Sequence, residues 1–351
     1  MARRLLVLNG LAAFAIAMHH AAAYGLQAMF GWHEPDYTLI GSASYHVTMF
    51  IRILVFFAVP AFFFVSGFFI GIMGKGDKAQ LKWTTTMPRI KVLVIPFIIW
   101  TIIRLAIIPM VPTSFDDVFS PYFFIPVLVQ FYLIAPLIVS WAKARWKLLL
   151  FVTGFLQISL VILSLFRELG ITVPGQQFIL GIPRWIFIMW PFWFPFGVVT
   201  GIHLEKVSKP LVRVRWLLLG ALLLLPFLST LEYQAIANYT EQVWLGPTFG
   251  GVARTLYALA FILCFIAFDR IPVPFFKELT QLGTKSLGIY MGNIPAIYVV
   301  AVLIYHLIPW ILDNQLIYQT VLIAAGLGGP LLLMTIVRKS MLRPLYRYMF
   351  G

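Results

Sequence analysis

Apolar positions in this chain do not alternate; they run on for about twenty residues at a time and are interrupted by short basic or Pro-containing stretches. A bilayer core of about 30 Å is crossed by roughly 20 residues of helix rising about 1.5 Å each. Runs of that length fall at 5–27, 47–72, 91–111, 122–141, 147–167, 185–204, 214–231, 249–268, 284–310 and 316–337. The pattern predicts an all-α polytopic membrane protein with about ten transmembrane helices, the fourth and fifth forming a tight hairpin. No polar block is long enough to fold alone, so residues 1–351 read as a single membrane domain. The first run follows Met-Ala-Arg-Arg as a signal peptide would. It continues to about Phe30, contains two histidines and lacks a small-residue cleavage site, so a retained first helix is expected.

Composition agrees: 61% of the residues are hydrophobic and only 11% charged, with a mean hydropathy of +0.93. No soluble fold hides that much apolar surface. The net charge of +14 is a topology signal rather than a nucleic-acid signal, because cytoplasmic loops collect Lys and Arg. With the N-terminus inside, only Arg167, Arg184 and Arg254 of the 26 cations fall on the outer side, and only Arg52 and Arg104 fall within spans. Acidic residues do the reverse: Glu34, Asp36, Asp116, Asp117, Glu168, Glu232, Glu241 and Asp313 are outside. Both termini are therefore expected in the cytoplasm. The one cysteine, Cys264, lies in an apolar stretch and excludes an intrachain disulfide; it reads as a small buried hydrophobe. Pro60, Pro96, Pro109, Pro126, Pro136, Pro191, Pro195, Pro226 and Pro295 predict kinked or broken helices. No internal repeat, phosphate-binding glycine loop, HExxH or GxSxG is present, which argues against ATP-driven pumps and familiar hydrolases.

Ionisable groups within a bilayer cost about 2.5–3.5 kcal/mol each to insert, so each is a functional candidate. His19, His20, Arg52 and Arg104 are the four of most interest, and helical rise places them at a similar level in the outer half of the membrane. The alternatives are that the arginines snorkel to the headgroups and that the histidines are a structural pair. Adjacent side chains diverge by about 100°, so only one of His19 and His20 points easily into a given cavity. A second polar layer joins Ser66 and Gly67 to Arg89 and Lys91. It reads either as a cationic entrance for a phosphorylated ligand or as positive-inside charge beside close helix packing.

Several segments resemble the integral membrane acyltransferase family 3, whose members O-acylate glycans and other extracytoplasmic acceptors. LNGLAAFAIAMHH (Leu8 to His20) resembles the family's opening helix, in which an Arg is separated from a later His by ten residues. FFFVSGFFI (Phe62 to Ile70) followed by PRIKVLVIPF (Pro88 to Phe97), FFIPVLVQFYLIAPLI (Phe123 to Ile138) and KSLGIYMGNIPAIYV (Lys285 to Val299) are similar to its later segments, in order. The ten-span plan with both ends inside matches as well. Two positions depart from the pattern: Asn9 stands where the family has Arg, and Asn293 where members often have a second His.

The resemblance implies an acyltransferase of the bacterial inner (plasma) membrane. It would move an acyl group, in the expected case acetyl, from cytoplasmic acyl-CoA to a hydroxyl of a glycan or similar acceptor, as in polysaccharide O-acetylation. No tightly bound cofactor or metal is implied; the partners are membrane lipids, acyl-CoA and the acceptor, and no nucleic acid. His20 or its neighbour His19 is the expected general base, with Arg52 beside it at the reacting centre. Asn9, Ser66, Arg89, Lys91, Arg104, Gln130, Tyr132, Tyr290 and Asn293 are the expected substrate-binding set. Developing oxyanion charge would meet Arg52, Gln130 or Tyr132. Asn9 and His20 share a helix face but stand about 16 Å apart along it, so Asn9 is expected to line the donor's route rather than orient the imidazole. A transporter or flippase for a polar glycan or lipid, and a catalytically degenerate family member, are the rival readings.

Overall fold

The computed structural model describes residues 2–27, 42–76, 81–108, 112–240 and 251–351. Glu34, Asp36 and Glu241, used above to orient the chain, and Pro109 lie outside the described residues. Every regular element among the described residues is helical. In chain order these are α1 (Ala2–Gln27), α2 (Ala43–Leu54), α3 (Ala58–Met73), α4 (Trp83–Ile107), α5 (Phe115–Phe119), α6 (Phe124–Glu168), α7 (Gln176–Leu180), α8 (Trp193–Ile202), α9 (Leu204–Arg213), α10 (Arg215–Thr240), α11 (Val252–Ala267), α12 (Phe276–Thr284), α13 (Ser286–Leu307), α14 (Gln315–Lys339) and α15 (Tyr346–Phe350).

Seven helices among the described residues are long and apolar enough to cross a bilayer: Arg3–Leu26, Ala43–Met73, Trp83–Ile107, Phe124–Glu168, Arg215–Thr240, Ser286–Leu307 and Gln315–Lys339. The difference from the sequence expectation has local causes. At 45 residues α6 contains both the fourth and fifth expected spans; the link between them is a single non-helical residue, Arg145, at φ −144° and ψ 54°. A straight helix of that length would measure about 67 Å, more than twice the bilayer core, and the break at Arg145 divides it into two stretches that are each about long enough to cross. The sixth expected span yields only the ten-residue α8. Pro183 and Pro191 deny the preceding stretch helical N–H donors, leaving irregular backbone with one 3-10 turn at Phe187–Met189. The eighth yields the sixteen-residue α11. Its first turn is capped by Glu232 of α10, whose carboxylate accepts from the N–H groups of Val252 (2.8 Å) and Ala253 (3.0 Å). The turn between α2 and α3 is explained by Pro60, whose ring would collide with the carbonyl of Phe56 in a continuous helix.

Packing divides the chain into two compact units, neither contiguous in sequence. The first comprises Val59–Lys91 and Phe115–Pro274, the second Ala2–Ala58, Val92–Ser114 and Phe275–Gly351. In the first, α3 and α8 meet backbone to backbone. A Cβ on Gly67 or Gly71 would run into the carbonyls of Phe194 and Val198, and one on Gly197 or Gly201 into those of Phe64 and Phe68. Two glycines four residues apart on each helix thus give a reciprocal close contact, in which dispersion replaces the hydrophobic driving force that lipid removes. Around it lies an aromatic core, with Phe131 stacked on Phe194 at 4.8 Å and Phe63 against Phe124 at 4.7 Å.

In the second unit, α12 lies along the first half of α1. Cβ atoms on Gly10 and Gly283 would strike the carbonyls of Leu279 and Leu6. The later half of α1 packs through Ala21 on Ile297, Ala301, Tyr318 and Leu322 of α13 and α14.

Candidate functional site

The second unit brings His20 and Asn293 together. The small residues Gly288, Gly292 and Ala296 around Asn293 let α13 approach its neighbours closely, and Asn293 is fully buried. Its Oδ1 lies 2.7 Å from Nδ1 of the half-buried His20. An amide oxygen only accepts, so in this arrangement Nδ1 carries the proton and donates it, and the Nε2 lone pair remains available as a base. His19 has its ring 5.8 Å from that of His20, edge to face, so the structure ties His20 and not His19 to the buried amide.

One turn beyond His20 on α1 stands Tyr24, its ring 6.3 Å from Tyr298 of α13 and within electrostatic reach of Arg104 and Tyr318. Arg104 is only 2% exposed, so it does not snorkel; it is enclosed with the phenols. Arg52, in the last turn of α2, is half-buried in the same unit. Tyr290 is buried one turn before Asn293. Asn9 is half-buried, with its Oδ1 enclosed and without a partner among the described residues.

Asn9 is not alone. Thr101 Oγ1, Asn293 Nδ2, Gln315 Oε1, Tyr318 OH and Gln319 Nε2 are also buried without a hydrogen-bond partner among the described residues, and all belong to the second unit. Each such group costs about 1–3 kcal/mol when left unsatisfied. Tyr24, Tyr298, Tyr318, Gln315 and Gln319 were not among the sequence candidates. The signal available was helical spacing: His20 with Tyr24, and Gln315 with Tyr318 and Gln319, lie three or four positions apart on otherwise apolar helices.

The first unit holds the other candidates. The Tyr132 phenol is buried and hydrogen-bonded to Ser66 and Arg89. Exposed Arg89 also reaches the Met73 sulfur at 3.0 Å. Ser66, Arg89 and Tyr132 therefore form one network joining α3, α4 and α6. Lys91 is exposed two positions further on, about 200° around the helix, and is not part of it. Gln130 is committed elsewhere. Its Nε2 donates to the carbonyls of Trp185 (2.7 Å) and Pro126 (3.1 Å), and its Oε1 accepts from the N–H of Phe187 at 3.1 Å. One side-chain amide thus satisfies the irregular backbone that the prolines leave before α8, as an apolar surrounding requires. Outside the spans, burial and the neighbouring Arg167 lower the pKa of Arg184, with Asp116 opposing. Cys264 is buried, and no group of three metal-ligating side chains occurs among the described residues.

The helices and this buried polar interior define a multi-pass membrane protein with polar side chains enclosed within its apolar helices. The profile of an acyltransferase domain family, acyltransferase family 3, matches residues 5–335, and the chain belongs to that family. Neither a curated protein nor a solved structure gives a significant match.

Proposed function

We propose that this chain is a membrane O-acyltransferase that moves an acetyl or similar acyl group from cytoplasmic acyl-CoA to a hydroxyl of a glycan or other extracytoplasmic acceptor, with His20 as general base. The observation that carries the reading is the hydrogen bond between His20 and Asn293, which fixes the imidazole with its Nε2 lone pair free. In the proposed reaction Nε2 takes the acceptor's hydroxyl proton as the oxygen attacks the thioester carbonyl. A cation in the same unit, Arg52 or Arg104, meets the oxyanion. Collapse of the tetrahedral intermediate breaks the carbon–sulfur bond, and the imidazolium returns the proton to the departing thiolate. The products are the acyl ester and free coenzyme A, with His20 neutral again. Arg89, Ser66 and Tyr132 suit the donor's phosphates, since a guanidinium held at one end by a phenol presents its remaining N–H groups outward. Gln130, tied to backbone, is assigned no part in the chemistry.

This reading takes the chain as one catalytic domain of ten spans with both ends in the cytoplasm, α6 supplying two spans and the shorter α8 and α11 one each. The basic distribution of the loops supports that orientation. The test is transfer from labelled acetyl-CoA by purified protein, with and without a membrane glycan extract. His20→Ala is expected to reduce transfer by about 100- to 10,000-fold while the purified protein still folds and unfolds cooperatively. Undiminished transfer by that variant overturns the assignment of the base. No transfer by the native chain together with transfer by Asn9→Arg would show a degenerate family member instead.

A further inference from the structure

The hairpin of α13 and α14 brings the start of one helix and the end of the other to the same end of the second unit. There the chain's tail folds back. Trp100 Nε1 donates to the carbonyl of Met349 at 2.8 Å, and the Phe350 ring, 5% exposed, packs 6.0 Å from that of Trp100. A Cβ on Gly288 would meet the Phe350 side chain at 3.0 Å, so the glycine is what admits the tail. The segment leading to the docked tail borders a half-open pocket of about 360 Å³ through Arg343 and Tyr346. Lys285, Arg338, Lys339 and Arg343 line it with Tyr346, over a floor that includes buried Met334, and no lining side chain is acidic.

Four like charges around one pocket repel one another unless an anion joins them. Arg338 and Lys339 partly answer the negative end of α14, but Lys285 opens α13 without a side-chain cap, so the positive end of that helix adds to the field. Around the pocket the surface is apolar: Met341 is 98% exposed, and Ile336, Leu342, Leu345 and Tyr348 are exposed as well. Cations beside bare apolar side chains, at the point where the α14 span ends, match a phosphate with acyl chains attached more closely than a soluble anion.

We propose that this pocket binds the phosphate of a net-negative phospholipid, the guanidinium groups of Arg338 and Arg343 taking its oxygens and the tail's apolar residues its chains. A zwitterionic headgroup fits poorly, because its ammonium would be repelled by the same four cations. The site is separate from acyl transfer and stands whatever the outcome of the catalytic test.

Native mass spectrometry of the full-length protein, titrated with phosphatidylglycerol, phosphatidylcholine, coenzyme A or inorganic phosphate, tests it. Phosphatidylglycerol is expected to bind in preference to phosphatidylcholine. The combined variant Arg338→Gln, Lys339→Gln, Arg343→Gln is expected to weaken that binding by at least about tenfold, as each cation near a lipid surface contributes about fivefold. Arg347→Gln, a charge outside the pocket, should leave it unchanged. Should the triple variant fail to purify, Arg343→Gln alone is expected to weaken binding at least about threefold. Equal binding of the two lipids, native-like lipid binding by the pocket variants, or displacement of the lipid by coenzyme A or phosphate at comparable concentration overturns the proposal.

Discussion

The two units handle polarity in opposite ways. In the first, helices close on one another through Gly67, Gly71, Gly197 and Gly201, and the polar side chains near the centre are spoken for: Gln130 by three backbone groups, Tyr132 by Ser66 and Arg89. Ser164 and Ser229 hydroxyls and Gln157 Oε1 are among the buried polar atoms of this unit that find no hydrogen-bond partner among the described residues. In the second, a fully buried Asn293, a fully buried Tyr318 and the amides of Asn9, Gln315 and Gln319 each keep a polar atom unmatched. Folding alone gives no reason to retain such groups, because apolar replacements of the same shape are neutral or stabilising. The contrast teaches that the first unit's polar residues are largely used within its architecture, while several of the second's are left unmatched by the fold, as the proposed substrate-binding role requires.

The strongest way to break the comparison is Gly197→Val. If the first unit depends on backbone contact, this change destabilises the protein by about 3 kcal/mol or more, read as a large fall in Tm or loss of folded material. A variant as stable as the native protein would remove the basis for that unit's description.

Gln130→Leu comes next. It leaves the Trp185 carbonyl and the Phe187 N–H without their partner in an apolar setting, so a loss of about 2–3 kcal/mol is expected. Activity per folded molecule should survive; a loss of activity at native stability would instead move Gln130 into the reaction.

Asn293→Ala is expected to lower kcat about 10- to 100-fold, the value of one hydrogen bond to an imidazole that becomes charged in the reaction. Its effect on Tm should be smaller than that of Gln130→Leu, since it breaks the single bond to His20 and the Nδ2 it also deletes has no partner among the described residues. A loss of Tm on the scale of Gln130→Leu would show that Asn293 is architecture after all.

The smallest effect belongs to Tyr318→Phe. Removing a buried hydroxyl without a partner should leave stability unchanged or raise it by up to about 1 kcal/mol. The acceptor's KM is the readout that matters. A stability loss would mean that the hydroxyl is satisfied within the fold, which would bring the second unit into line with the first.

The helical membrane architecture was written in the hydrophobic runs, because a segment that must satisfy its own backbone in lipid has few alternatives to a helix. The resemblance to acyltransferase family 3 was likewise carried by linear segments such as Leu8 to His20 and Lys285 to Val299, and the family profile matches residues 5–335. Span lengths were less accessible. Whether Arg145 or a loop separates two spans, and how much of 185–204 is helical, depends on local φ and ψ and on prolines whose lost hydrogen bonds are restored from elsewhere. The site was legible as residue types and depth: His19, His20, Arg52 and Arg104 stood out because charge is costly in a bilayer.

What sequence by itself determined, then, is which residues are expensive where they sit. Only the tertiary structure decided which partner each one meets: His20 rather than His19 on Asn293, Arg104 enclosed among tyrosines, Gln130 spent on backbone, and Tyr318 left with its hydroxyl unmatched. The reason is physical. The cost of burying a polar group is a property of that residue and its depth, but relief of the cost requires a second group hundreds of positions away, as between His20 and Asn293, and that pairing exists only once the helices have packed.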